Sequence, residues 1–207
     1  MKILTVCTQC QMMQPTIVDY YDDGVAYVTC SKGHNTAHLV KSAKFEILLE
    51  SGATALLDGF TFEACASLSA ALGRFYEFEL QVMCRARGIS KEVYVEMFKG
   101  MSIQSERQLG AFMVLYVIEF GEPYKPDRKI TEIRNSVIHK GKIPTRKDAN
   151  DFMSSVYSVI VSLYHKLHAK HFDDVMMVIG EDLLEDKPRY RRICRFRQTP
   201  VLFFSTF

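Results

Sequence analysis

Residues 130–150 read ITEIRNSVIHKGKIPTRKDAN, and the fold turns on how this stretch is parsed. It closes one helix, turns through Gly141 and Pro144, and opens another helix at Thr145. Val137 and Ile138 anchor the first helix in a core, and Gly141 suits the left-handed position just past a helix end. Thr145 and Asp148 have the spacing of a capping box for the next helix. Helices joined by so short a turn pack as antiparallel neighbours. The join also carries Arg134 and His139, five positions apart. On an α-helix that separation is about 140° of rotation and about 7.5 Å of rise, so the two are not stacked. Arginine is long enough to reach along the axis toward a histidine at the helix end, where the dipole favours a cation.

The same 3.6-residue period extends from residue 43 onward. Phe45, Leu48, Leu49, Gly52 and Leu56 form a first stripe. Phe62, Cys65, Leu68, Leu72, Phe75, Leu80 and Met83 form a second on a longer helix that Gly88 ends. Ser90 caps a short third helix closed by Gly100. Leu109, Phe112, Met113, Tyr116, Val117 and Phe120 mark a fourth, stopped by Gly121-Glu122-Pro123. The fifth runs from near Asp127 to His139. The sixth, from Thr145, turns Phe152, Val156, Val159, Leu163 and Leu167 inward. The body is therefore mainly α, an antiparallel helical bundle over residues 43–172, with residues 173–207 as a basic and apolar tail.

The first 42 residues have a different period. CTQC at 7–10 and CSKGH at 30–34 give C-x2-C-x19-C-x3-H. Zinc takes four such ligands in a tetrahedron, and two tight turns with two ligands each supply them. TIVDYY and VAYVT between the turns read as strands, joined through the hairpin signal DDG. This is a small β zinc ribbon with Cys7, Cys10, Cys30 and His34 as ligands and His38 as the alternative to His34. With every position filled by protein the zinc is structural, and in so short a segment it supplies much of the folding free energy. A redox C-x-x-C would need a βαβ context that the sequence lacks.

Composition excludes more than it selects. The 207 residues carry 26 Lys and Arg against 24 Asp and Glu, a net charge of +2, so any nucleic-acid case rests on local patches. No apolar run reaches the roughly 18 residues of a membrane span. The N-terminus lacks the apolar core of a secretory signal. Cys65, Cys84 and Cys194 are scattered singly, which fits a reducing compartment better than a disulfide framework. The expectation is a cytoplasmic protein with no membrane association.

Arg134-Asn135-x-x-x-His139, followed by glycine and Pro-Thr and leading into a long helix, resembles the HEPN family of helical domains. Its signature is R-x4-6-H, and the helix EACASLSAALGRFYEFEL at 63–80 also looks like the family helix that packs beside the motif. The resemblance covers about residues 43–170. It implies a metal-independent endoribonuclease, acting as a toxin or anti-phage defence effector, that uses the ribose 2′-hydroxyl as internal nucleophile. Arg134, Asn135 and His139 would be catalytic. A two-fold homodimer would bring two histidines and two arginines together as acid, base and phosphate clamp. The implied partners are RNA, with transfer RNA one candidate, and an antitoxin or regulator.

Other residues carry weaker signals. Arg74 and Glu77 can touch the site from the side, or form an ordinary i,i+3 ion pair; Lys140 lies beside His139. His165, His168 and His171 line one side of the last helix, where helix-end histidines explain the pattern more simply than a metal. In the tail, Lys187, Arg189, Arg191, Arg192, Arg195 and Arg197 interleave with Tyr190 and Phe196. Basic groups neutralise phosphates and aromatics stack on bases, so Arg191 and Arg195 are candidate RNA contacts; a charge-guarded edge strand has the same composition. VLFFSTF at 201–207 is too apolar to stay free. The competing functions are a non-catalytic module binding RNA, nucleotide or a partner protein, and a zinc-ribbon transcription factor, for which no recognition helix is evident.

Overall fold

Two antiparallel hairpins precede six helices. Strand β1 (Lys2–Val6) pairs with β2 (Pro15–Asp19), and β3 (Val25–Thr29) pairs with β4 (Asn35–Leu39). The computed structural model describes residues 1–7, 9–10, 15–21, 24–40, 42–102 and 104–184. The hairpin expected across DDG is instead a link between two hairpins. The strand TIVDYY finds its partner upstream in KILTV, and VAYVT finds its own downstream in NTAHL. Both outer strands have the alternation of a half-buried strand but are bounded by the cysteine turns, which hid them as separate elements.

The helices are α1 (Lys44–Leu57), α2 (Thr61–Arg85), α3 (Lys91–Lys99), α4 (Ser105–Phe120), α5 (Arg128–Arg134) and α6 (Arg146–Leu184). One compact unit holds residues 1–43 and, from the described part of α6, 179–184; the other is Lys44–Val178. Capping follows the sequence. Ser90 accepts from the Val93 N–H, Asp127 from the Lys129 N–H at 2.7 Å, and Thr145 from the Asp148 N–H at 3.1 Å. Thr145 Oγ1 in turn donates to Asp148 Oδ2 at 2.9 Å, a reciprocal box with aspartate in place of glutamate. Residues 173–184, expected in the tail, continue α6, because Val175 and Val178 keep the buried period. Among the described residues no helix is long and apolar enough to cross a membrane.

The centre of the helical unit is α2, whose Cys65, Leu68, Phe75, Leu80, Val82 and Met83 are inaccessible to solvent. Phe45 of α1 meets Phe75 edge-on at 5.0 Å between ring centroids, and Tyr76 packs on Phe112 of α4 at 4.8 Å. From α6, Phe152, Val156, Ile160 and Leu167 join the core. Val117, expected inside, is exposed, because the buried stripe of α4 passes through Gln108, Phe112, Tyr116 and Glu119.

Two carboxylates are buried on this scaffold, with opposite consequences. Burial pushes Glu79 up from 4.5 to about 8, against a partial pull from Lys166, and its Oε1 has no hydrogen-bond partner. Glu119 is surrounded by Arg87 at 2.5 Å, Lys170 at 2.6 Å and His171 at 2.6 Å. Burial opposes its ionisation, but the bonds from Lys170, His171 and Arg87 prevail and hold it down at about 2. His171 leaves helical dihedrals (φ −132°, ψ 44°) and kinks α6 where it meets this carboxylate.

The two groups give stability opposite pH slopes. Between pH 4.5 and 8 the folded chain retains the Glu79 proton that the unfolded chain releases, so stability falls as pH rises through that window. Glu79→Gln removes that slope and is more stable than wild type at pH 8 by on the order of 1–2 kcal/mol. Glu119 contributes stability above pH 4.5 that is lost as pH falls toward 2. Glu119→Gln costs roughly 2 kcal/mol at pH 7, less than for a fully buried pair because its partners reach solvent. Urea unfolding at several pH values measures both.

Candidate functional sites

At the hairpin tips the backbone builds two knuckles. The Cys10 N–H donates to the Cys7 carbonyl at 3.3 Å, and the Gly33 N–H to the Cys30 carbonyl at 2.9 Å. Gly33 has φ +78°, which a side chain would strain. Each ligand pair therefore sits in the turn of its own hairpin, and the four ligating atoms lie within 4.8 Å of one another. Cys10 Sγ is 3.5 Å from Cys30 Sγ and 3.4 Å from His34 Nδ1, and Cys7 Sγ is 3.8 Å from His34 Nδ1. A tetrahedral zinc with its usual bond lengths has edges of about 3.8 Å between sulfurs and about 3.6 Å from sulfur to nitrogen. Donor type, number and spacing all fit. The cluster could hold a structural metal such as zinc.

The thiols are poised for it. Burial resists ionisation of Cys30, but the Lys32 and His34 backbone N–H groups bonded to its sulfur prevail and lower it to about 6. Cys10 carries the opposite shift, to about 11, through burial and its neighbouring thiols. A bound cation reverses that penalty, since metal-ligating thiols are deprotonated. His38 lies elsewhere: buried on β4, it shares a 2.8 Å hydrogen bond between its Nε2 and Thr36 Oγ1, and burial lowers its basicity.

In the helical unit, α5 does not continue as an α-helix to His139. Asn135–His139 form a single π-helical turn, and Gly141 at φ +63° ends it, with its N–H on the Val137 carbonyl at 3.1 Å. The i→i+5 repeat of a π-turn equals the separation of Arg134 and His139. Arg134 immediately precedes the π-turn and His139 closes it. Val137 is buried and fixes the turn, whereas Asn135, His139 and Lys140 are exposed. The Arg134 guanidinium donates to Ser105 Oγ at 2.8 Å and lies 4.0 Å from the exposed Glu106.

Arg134 and Asn135 line a cavity of about 500 Å³ between α2, α4 and α5, and Arg74 lines it from α2. His139, Lys140 and Glu77 are not among its lining residues. Arg74 forms the ion pair with Glu77, 2.6 Å apart, and Glu77 is mostly buried. Burial raises the Glu77 carboxyl, with Arg74 and Lys44 pulling the other way. Gln108, 4% exposed, is a cavity residue that sequence periodicity had no means of singling out. Of the three aligned histidines, His168 stacks on Tyr164 and His171 is tied to Glu119, so they form no shared cluster. Arg191 and Arg195, with the rest of the basic segment, lie outside the described residues.

No family model, curated protein or solved structure matches this chain.

The expected outcome is that purified chain carries one equivalent of zinc, released on thiol modification and measured with a colorimetric chelator. Cys30→Ser and His34→Ala lower that content at least tenfold, while His38→Ala retains it.

Proposed function

We propose that the chain is a metal-independent endoribonuclease of the HEPN type, working as a homodimer. The observation that carries this reading is the joining of Arg134, Asn135 and Arg74 at one cavity, with His139 exposed one π-turn beyond Arg134. The ribose 2′-hydroxyl attacks the adjacent phosphorus. One histidine removes the hydroxyl proton as the O2′–P bond forms. A second, from the partner's copy of the motif, protonates the departing O5′ as the P–O5′ bond breaks. The products are a 2′,3′-cyclic phosphate and a 5′-hydroxyl. Arginine, permanently charged with a planar fork of donors, neutralises the phosphorane oxygens. Asn135 orients the phosphate. In this scheme zinc at the cysteine cluster stabilises the N-terminal fold and takes no part in the reaction. Such an activity suits a toxin or defence effector restrained by an antitoxin or regulator.

A second reading is a module that binds RNA or nucleotide without cutting it. It is favoured by one observation: the cavity takes in both arginines and Asn135 but not His139.

Incubation of the protein with total RNA in EDTA separates the two. Wild type cleaves and leaves cyclic-phosphate ends; His139→Ala and Arg134→Ala each lose at least 10²-fold in rate, and a 2′-deoxy linkage is untouched. Intact RNA at high enzyme, or equal cutting by His139→Ala, rejects catalysis and leaves the binding reading.

A further inference from the structure

Gly73 stands in the interior of the 25-residue helix α2, where only proline is a poorer helix former. Nothing in its backbone calls for glycine, since it is absent from the positive-φ positions. Nothing in the packing calls for it either: a β-carbon at Gly73 would meet no atom within 4 Å. Gly52 is the contrast, for a β-carbon there would come within 2.8 Å of Leu68 Cγ. What the missing side chain at Gly73 leaves is open space, and that space belongs to the cavity. Ala66, Ala70 and Gly73, on one face of α2, keep its floor shallow.

We propose that this cavity seats the base and ribose of one unpaired nucleotide, with its phosphate on Arg74 and Arg134. The proposal rests on the RNA-cleaving reading and names the substrate class of that site: single-stranded RNA with an extruded nucleotide. The volume falls inside the roughly 300–1,000 Å³ of small-ligand pockets. Leu109, Ile130 and Ile138 supply apolar walls for a flat ring. Gln108, nine-tenths buried at the same wall, places a polar amide beside those apolar groups. Its Nε2 donates to the Ser102 carbonyl at 3.4 Å, and its side chain also hydrogen-bonds the Glu77 carboxyl, so these bonds hold the amide at the cavity wall.

Charge selects among anions. Glu106 and Asp127 line the cavity with the two arginines, so the local field is nearly balanced. A singly charged phosphodiester is accommodated and a free triphosphate is disfavoured. A base inside a duplex cannot enter without leaving its stack, which sets the preference for single strands.

The test is calorimetric titration of the full chain with the four nucleoside 5′-monophosphates and with inorganic phosphate. At least one nucleotide binds tenfold or more tightly than phosphate, and Gly73→Leu, which fills the floor, removes that difference. Circular dichroism checks that Gly73→Leu folds; if it does not, Gly73→Ala, which improves the helix, shows a smaller loss in the same direction. Nucleotide affinity equal in wild type and these variants, or no better than that of phosphate, overturns the pocket. RNA left intact by a chain whose cavity passes the nucleotide test overturns the nuclease reading alone.

Discussion

The helical unit depends on the burial of α2. A 25-residue helix with Leu68, Phe75, Leu80 and Met83 all withdrawn from solvent has to be enclosed by its neighbours, and α1, α3, α4 and α5 all pack against it. Each fully buried Leu, Phe or Met contributes about 1.5–3 kcal/mol, so the positions of the other helices are set by these side chains. On the face carrying Phe75 and Phe78 the aromatic rings interlock with Phe45 and Tyr164. On the face carrying Ala66, Ala70 and Gly73 there is little to interlock. The cavity is the geometric result: helices held apart by large side chains on one side leave space beside small ones on the other. An interior at native density does not keep such a space for stability, since filling it would gain contacts.

The charged groups obey the same constraint. Glu119 can stay ionised because Arg87 from the α2 end and Lys170 and His171 from α6 reach it with hydrogen-bond donors. Glu79 faces aromatic surroundings with only Lys166 in its field, and Lys166 is already held by Glu122 and Tyr116. One carboxylate therefore fastens α6 at its kink, and the other is a neutral acid in the core. The contrast follows from the supply of partners together with the deeper burial of Glu79.

Legibility in the sequence followed the range of the forces involved. The helix caps at Ser90 and Thr145 act over three residues and were readable at once. The cysteine–histidine spacing was readable because tetrahedral coordination restricts it, and the structure gathers those four side chains. Strand pairing was misread: DDG is a strong local turn signal, but pairing is decided by partners, and KILTV and NTAHL won them. Val117 fits the period of α4 yet faces solvent, because periodicity gives a stripe and not its edges. The cavity was invisible. Ala66, Ala70 and Gly73 read as filler within a core helix, and only the placement of α4 and α5 shows that the space beside them stays open.

The π-turn binds these strands of argument. Asn135–His139 contains no strong helix former, but a weak helix propensity alone does not specify a π-turn; within it Val137 is buried, and Gly141 ends it at positive φ. On an α-helix, residues five apart are offset by about 140°. In the π-turn the backbone bonds run i→i+5 instead of i→i+4, so the offset between the two positions is no longer that of an α-helix. Single π-turns inside helices are rare and are frequent at functional sites. The irregularity separates Arg134, which lines the cavity, from His139, which the same π-turn carries into solvent.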